Sequence, residues 1–151
     1  MTGKWKKAAA VLLAAVMAVL LVPLPTYAKE TAKISVGSGS CDIGDEVTIS
    51  VSVSSSVDIY MCDIWLSYDS GVLQPVSGYS GGGGGSVRLL STDSTSFSVR
   101  FKAVSAGSSS ISVSTSNTII SSADEDYMAV SAGSGSVTVK APVSYSTDNT
   151  L

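Results

Sequence analysis

An acidic and an aromatic side chain, spaced as on one face of a strand, are the main chemical feature of this sequence. In residues 59–68, Met61, Asp63 and Trp65 alternate with apolar residues. A period of two with one apolar face is typical of a half-buried β-strand. We therefore expect Asp63 and Trp65 to point away from the core. There a tryptophan could anchor a partner, and a carboxylate could orient it through charge-assisted hydrogen bonds.

Two arginines farther along the chain could extend this surface. Arg100 alternates with apolar residues and should point outward, and Arg88 follows a glycine run in a strand-like segment. The candidate partner-binding residues are Met61, Asp63, Trp65, Arg88 and Arg100. The competing interpretation is that a loop covers Trp65 and that Asp63 is a surface charge that opposes aggregation.

Residues for most hydrolytic and zinc chemistry are missing from the sequence. It contains no histidine, which excludes Ser-His-Asp and Cys-His catalysis and most zinc sites. The acidic cluster 124–126 indicates a solvated turn, with a calcium site as the alternative, although the spacing of a calcium loop is absent. The glycine run 81–85 lacks the Lys and the helix of a phosphate-binding loop and predicts a flexible connection. We expect no enzymatic activity, no cofactor and no metal.

The two cysteines, Cys41 and Cys62, could form a disulfide if the chain is exported. The alternative is that Cys62, on the apolar face of its predicted strand, is a free thiol that packs as a small hydrophobe.

Residues 1–28 are predicted to be a secretory signal peptide. Lys4, Lys6 and Lys7 precede an apolar run of 15 residues, 8–22, and small residues before position 29 suit cleavage after Ala28. An uncleaved anchor is the alternative, but a membrane span needs about 20 apolar residues. We expect a secreted, extracellular protein that is not stably inserted in a membrane once the signal peptide is cleaved.

The net charge after that cleavage disfavours two classes of partner. Three of the nine basic residues lie in residues 1–28 and none of the 12 acidic ones does, which leaves six against 12 and a formal charge of −6. Nucleic acids and anionic lipid surfaces are therefore unfavourable partners.

Residues 29–141 are predicted to form one all-β domain. Short apolar stretches alternate with Ser, Thr or charged residues, turn signals separate them, and no convincing amphipathic helix interrupts them. This pattern is typical of an antiparallel β-sandwich. Residues 142–151 are predicted to be a linker or the start of a following module, since Pro142 ends the last strand.

Several segments, in order, resemble the cohesin domain family. Residues 43–49 (IGDEVTI) are similar to the opening strand of cohesins, and residues 61–69 (MCDIWLSYD) with Val72 and Leu73 to the strand and turn that follow. Residues 101–111 (FKAVSAGSSSI) and 135–139 (GSVTV) resemble two later segments. The resemblance covers about residues 32–140. Its contracted middle, between residues 76 and 101, is more similar to cohesin-like modules of large cell-surface proteins in gut-type Gram-positive bacteria.

The resemblance implies a jelly-roll β-sandwich of about nine antiparallel strands, related in fold to some carbohydrate-binding modules. It also implies a non-catalytic module that binds dockerins on the face containing residues 59–68. In some cohesins an Asp at the position of Asp63 contacts the dockerin together with an Asn two residues earlier, where this chain has Met61.

The expected function is therefore extracellular binding of a dockerin-type protein or a polysaccharide, in a polysaccharide-degrading assembly or a cell-surface protein. The alternative is a structural spacer that has no ligand of its own. Direct glycan binding would need coplanar exposed aromatic rings, for which Tyr60 and Tyr79 are the only nearby candidates beside Trp65.

Overall fold

Twelve β-strands and their connections make up the described chain. A computed structural model describes residues 30–124 and 126–142. The strands are β1 (Thr31–Val36), β2 (Gly39–Asp42), β3 (Glu46–Ser54), β4 (Ile59–Ser67), β5 (Leu73–Ser77), β6 (Gly81–Gly82), β7 (Ser86–Ser91), β8 (Ser96–Ala103), β9 (Gly107–Val113), β10 (Ile119–Ser122), β11 (Ala129–Ala132) and β12 (Gly135–Lys140). The predicted signal peptide and nearly all of the predicted linker lie outside the described residues. No helix in the described ranges is long and apolar enough to cross a membrane.

The strands form two sheets that pack as a jelly-roll β-sandwich, as the sequence predicted. Sheet 1 has the order β11-β1-β3-β8-β5. Sheet 2 has the order β2-β12-β9-β4-β7-β6, and β10 also pairs with the first half of β4. Strand β4 is therefore an interior strand of sheet 2.

The pairing of the first and last strands differs from the antiparallel prediction. Strand β1 pairs in parallel with β11 in sheet 1, and β2 pairs in parallel with β12 in sheet 2. The chain passes from sheet 1 to sheet 2 at both places, through Gly37 and Ser38 and again through Gly133 and Ser134. A β-carbon at Gly135 would collide with the carbonyl oxygen of Gly37. The two crossings divide the ends of the domain into β1 and β2 and into β11 and β12, and the described residues form 12 strands rather than about nine.

The core follows the alternation of the sequence. Along β3 every second side chain is buried, from Val47 to Val53, and the intervening Ser and Thr residues face solvent. Phe101 of β8 is fully buried near the middle of the sandwich, and its ring centroid lies 5.2 Å from that of Tyr68. Tilted aromatic pairs at such a separation stabilise a core beyond the area they bury. The packing of the two apolar inner faces against each other holds the sheets together. It also fixes which residues of β4 can point outward.

Both cysteines are free, so the possible disulfide between Cys41 and Cys62 is not formed. Cys41 lies on edge strand β2, and strands β12 and β9 separate it from Cys62 on β4. The two cysteines are therefore three strand spacings apart, which is about 14 Å, whereas a disulfide needs its two Cα atoms within about 7 Å. Cys62 is a fully buried core residue, and burial raises the pKa of its thiol to about 11.

The glycine run is partly a strand rather than only a flexible connection. Gly81 and Gly82 form β6 and pair with Arg88 and Val87 of β7. Residues 82–85 all have positive φ, which glycine tolerates because it has no β-carbon. The run therefore forms a tight hairpin at the edge of sheet 2, next to the outward face of β7.

Candidate functional site

Strand β4 positions the candidate residues on the outer face of sheet 2. Cys62, Ile64 and Leu66 point into the core, and the residues between them point outward and are half-buried. Strand β7 pairs with β4 on one side, and β10 followed by β9 pairs with it on the other. Because β4 has neighbours on both sides, its outward side chains lie on a continuous sheet surface. This surface, formed by the outward residues of β4, β7 and β10, is called the β4 face below.

Asp63 and Arg88 form a two-pronged ion pair on the β4 face. Arg88 Nε donates to Asp63 Oδ1 at 2.8 Å, and Nη2 donates to Oδ2 at 2.7 Å. The side chain of Asp63 is 13% exposed and that of Arg88 is 39% exposed. The hydrogen bond and the charge of Asp63 raise the pKa of the Arg88 guanidinium. Such paired bonds fix both groups in one orientation.

Trp65 lies beside this ion pair and is half-buried. It stands opposite Arg88 in the β4–β7 register, and the guanidinium carbon lies 5.9 Å from the centre of its ring. At that distance the cation is attracted by the electron-rich ring face. The Trp65 amide donates to Thr118 Oγ1, and the Trp65 carbonyl oxygen accepts from the Ser114 amide. Trp65 is therefore neither fully exposed nor fully covered, and both its backbone and its ring have defined contacts.

The structure separates Arg100 from the other candidate residues. Arg100 belongs to β8 in sheet 1, where it pairs with Thr48 and its Nε lies 3.5 Å from Glu46 Oε2. It does point outward, but from the opposite side of the sandwich. The local alternation of apolar and polar residues predicts that a side chain points outward. The pairing of distant strands decides to which sheet its strand belongs. Met61 does lie on β4, half-buried and opposite Ser121 of β10.

Two exposed apolar side chains that were not among the predicted site residues belong to the β4 face, and a third, Tyr127, lies beside it. Ile119 and Leu90 stand on either side of Asp63 in register and are 43% and 42% exposed. Tyr127, 66% exposed, pairs with Ser121 through an isolated bridge. The sequence did contain a signal for Leu90 and Ile119. When two adjacent residues of a strand are both apolar, their side chains point to opposite faces, so one of them points outward. The pairs Leu89-Leu90 and Ile119-Ile120 have this form.

A shallow apolar depression of about 130 Å³ lies next to this row of residues. Thr118, Ile119, Ile120, Tyr127 and Met128 line it. The exposed side chains of Ile119 and Tyr127 form its walls, and the buried residues Thr118, Ile120 and Met128 complete its lining.

The described residues give no support for a metal site. They contain no group of three or more His, Cys, Asp or Glu side chains that could hold an ion. Asp124 and Asp126 are exposed in the turn after β10, and Glu125, the third member of the acidic cluster, lies outside the described residues.

Comparison with known families gives a match to a binding-domain family. The model of the Cohesin domain family matches residues 32–97, which include β4, β7 and the ion pair. No curated protein matches the chain.

Comparison with solved structures gives cohesins from several organisms. The solution structure of CaCohA2 from Clostridium acetobutylicum is 20% identical with a TM-score of 0.62, and the match covers 74% of this chain and 92% of that one. A non-cellulosomal cohesin from the hyperthermophilic archaeon Archaeoglobus fulgidus is 16% identical with a TM-score of 0.63, over 73% and 91% of the two chains. The sixth cohesin of scaffoldin B from Acetivibrio cellulolyticus, in complex with a Cel5 dockerin mutant, is 16% identical with a TM-score of 0.61, over 73% and 99%.

Proposed function

We propose that the described β-sandwich is a non-catalytic module of the cohesin type that binds a dockerin-type protein through the β4 face. The observation that carries the proposal is the half-buried Trp65 beside an arginine that is clamped by Asp63. Trp and Arg are the residues most often found at the energetic centre of protein interfaces. The ion pair fixes the arginine before a partner arrives, so less side-chain entropy is lost on binding.

The relatives support the choice of partner. The scaffoldin B cohesin of Acetivibrio cellulolyticus is recorded in complex with a dockerin. We further propose that the module acts outside the cell, in a polysaccharide-degrading assembly or a cell-surface protein.

A structural spacer is the second candidate, and the strand order favours it. Strand β12 ends beside Asp42, at the far end of β2, and the described chain begins at Glu30, just before β1. Twelve residues of extended chain separate these points along the domain, which is roughly 40 Å at 3.3 Å per residue. The described chain therefore enters and leaves near opposite ends, as a domain linked in series would.

A binding titration separates these functions. The chain without its predicted signal peptide would be titrated with a panel of dockerins and of soluble plant polysaccharides. The double variant Asp63→Ala/Trp65→Ala removes the proposed anchor. Glu46→Ala/Arg100→Ala is a matched control, because it removes an ion pair from the outer face of sheet 1.

We expect at least one dockerin to bind the wild type and the control, and the β4-face variant to lose binding by roughly a hundredfold, as hot-spot truncations do. Circular dichroism of each variant would establish that it is folded. Equal loss in both double variants would contradict the assignment of the site. Binding of polysaccharide alone would favour direct glycan recognition, and saturation by no probe would favour the spacer.

A further inference from the structure

The apolar depression beside the β4 face has the size and lining of a socket for one side chain. Its volume is about 130 Å³, and a cavity of about 150 Å³ lined by Leu, Ile and Phe is large enough to bind benzene. Thr118, Ile120 and Met128 also line the depression and are buried, so an occupant would meet packed atoms between the exposed side chains of Ile119 and Tyr127. A branched aliphatic side chain fits this description better than a charged one, because a charge would lose its hydration there.

The charges near the depression are acidic and have no described cation to balance them. Asp126 precedes Tyr127 of the wall, and its carbonyl oxygen accepts from the Ser122 amide at the end of β10. Asp124 lies in the same exposed turn. Among the described residues the two ion pairs are Arg88–Asp63 and Arg100–Glu46, so neither Asp124 nor Asp126 belongs to one.

Resting on the proposed function, we propose that the partner of the β4 face inserts one branched aliphatic side chain between Ile119 and Tyr127 and places a Lys or Arg against Asp124 and Asp126. The apolar contact supplies most of the affinity, because the walls are exposed in the free protein and become buried on binding. The basic residue fixes the direction of the partner, because like charge at that end would be repelled. Specificity at this end of the face is thus set by Ile119 and Tyr127 together with Asp124 and Asp126.

Short peptides test the socket without needing a partner of known identity. The protein would be titrated with acetyl-Leu-Lys-amide, acetyl-Ser-Lys-amide and acetyl-Leu-Glu-amide while backbone amide shifts are followed by NMR. We expect saturable, millimolar binding of the Leu-Lys peptide, with shifts concentrated at residues 118–120 and 127–128. The Ser-Lys peptide should bind roughly tenfold more weakly because it buries no aliphatic group. The Leu-Glu peptide should also bind more weakly, and added salt should reduce the difference between the Lys and Glu peptides.

Two variants with matched exposure give the control. Ile119→Ala removes a wall of the depression. Val104→Ala is the control, because it truncates an aliphatic side chain that follows β8 of sheet 1 and is 42% exposed, against 43% for Ile119. Ile119→Ala should abolish the localised shifts and Val104→Ala should leave them unchanged. Tyr127→Ala removes the opposite wall and serves as a second test if Ile119→Ala is unstable.

The outcomes separate this inference from the proposed function. Equal binding of the Leu and Ser peptides, shifts spread over the whole surface, or retention of binding in both wall variants would overturn the socket. If a dockerin binds and is lost in Asp63→Ala/Trp65→Ala but is unaffected by Ile119→Ala and Tyr127→Ala, the proposed function stands and the socket is wrong. If no dockerin binds and the Leu-Lys peptide still occupies the depression, the socket stands and the dockerin assignment is wrong.

Discussion

Arg88 holds both carboxylate oxygens of Asp63 from the neighbouring strand while its guanidinium lies beside the ring of Trp65. Arg88 stands opposite Trp65 in register, so it reaches diagonally to Asp63, one outward position along β4. One arginine thereby joins the acidic and the aromatic candidate residues into a single pre-arranged group. The carboxylate of Asp63 is consequently engaged within the domain, and the parts of this group left for a partner are mainly the Trp65 ring and the exposed edge of Arg88.

A double-mutant cycle on Asp63→Ala and Arg88→Ala should give a small, favourable coupling in the free energy of unfolding. The pair has two-pronged geometry, but Arg88 is more than a third exposed, so water screens the attraction. Urea unfolding of the four proteins measures this coupling. Arg88→Lys should recover little of it, because an ammonium cannot make the paired contact. A coupling energy of zero would mean that the pair only orients the side chains.

Trp65 fluorescence should report binding directly. The other tryptophan, Trp5, lies in the predicted signal peptide, so the cleaved chain has one emitter. Because the ring is half-buried, burial by a partner should shift its emission to shorter wavelength and protect it from quenching by iodide. Binding established by another method without any change in Trp65 emission would place the interface elsewhere.

Gly135→Ala should destabilise the domain by about 1–3 kcal/mol, the usual cost of overpacking. A β-carbon at Gly135 would meet the carbonyl oxygen of Gly37 where both terminal strands cross between the sheets. Gly133→Ala is the control, because its β-carbon would approach no closer than 3.9 Å to the Ile34 carbonyl oxygen. Thermal unfolding of both variants gives the comparison, and equal melting temperatures would contradict the close approach.

The free energy of unfolding should fall between about pH 9 and pH 11 through Cys62. Burial raises the pKa of its thiol from 9.0 to about 11, so the folded state favours the neutral form. A raised pKa gives stability that is fully present below the unfolded-state value and is lost as the pH rises through the folded-state value. Cys62→Ala should show a shallower decline over this range, measured by urea unfolding at each pH.

Thiol labelling provides an independent check on the cysteines. In the native protein at neutral pH a maleimide should modify the half-exposed Cys41 and leave the buried Cys62 unmodified until urea unfolds the chain. Burial and the nearby Asp45 and Asp42 raise the pKa of Cys41, so its reaction should be slower than that of an ordinary exposed thiol. If neither cysteine is labelled even in urea without a reductant, a disulfide has formed.

Much of the candidate site was predictable because it depends on the alternation within one strand. The outward orientation of Met61, Asp63 and Trp65 follows from the buried residues between them, and the structure agrees. The contact between Asp63 and Arg88 was not predictable, because it depends on the register of two strands and joins residues 25 positions apart in the chain. Arg100 illustrates the opposite error, since correct alternation placed it outward but could not tell which sheet it faced.

The sequence by itself determined the class of the domain. Alternating apolar residues, turn signals and the ordered cohesin-like segments specify a β-sandwich with β4 as a strand that has one buried face, because these patterns act over a few residues. Only the tertiary structure decided which side chains meet. The parallel pairing of β1 with β11 and of β2 with β12, the separation of Cys41 from Cys62, and the row Leu90, Asp63 and Ile119 all depend on how distant strands are ordered and aligned. That order is set by the packing of both sheets on a shared core, which no local pattern records.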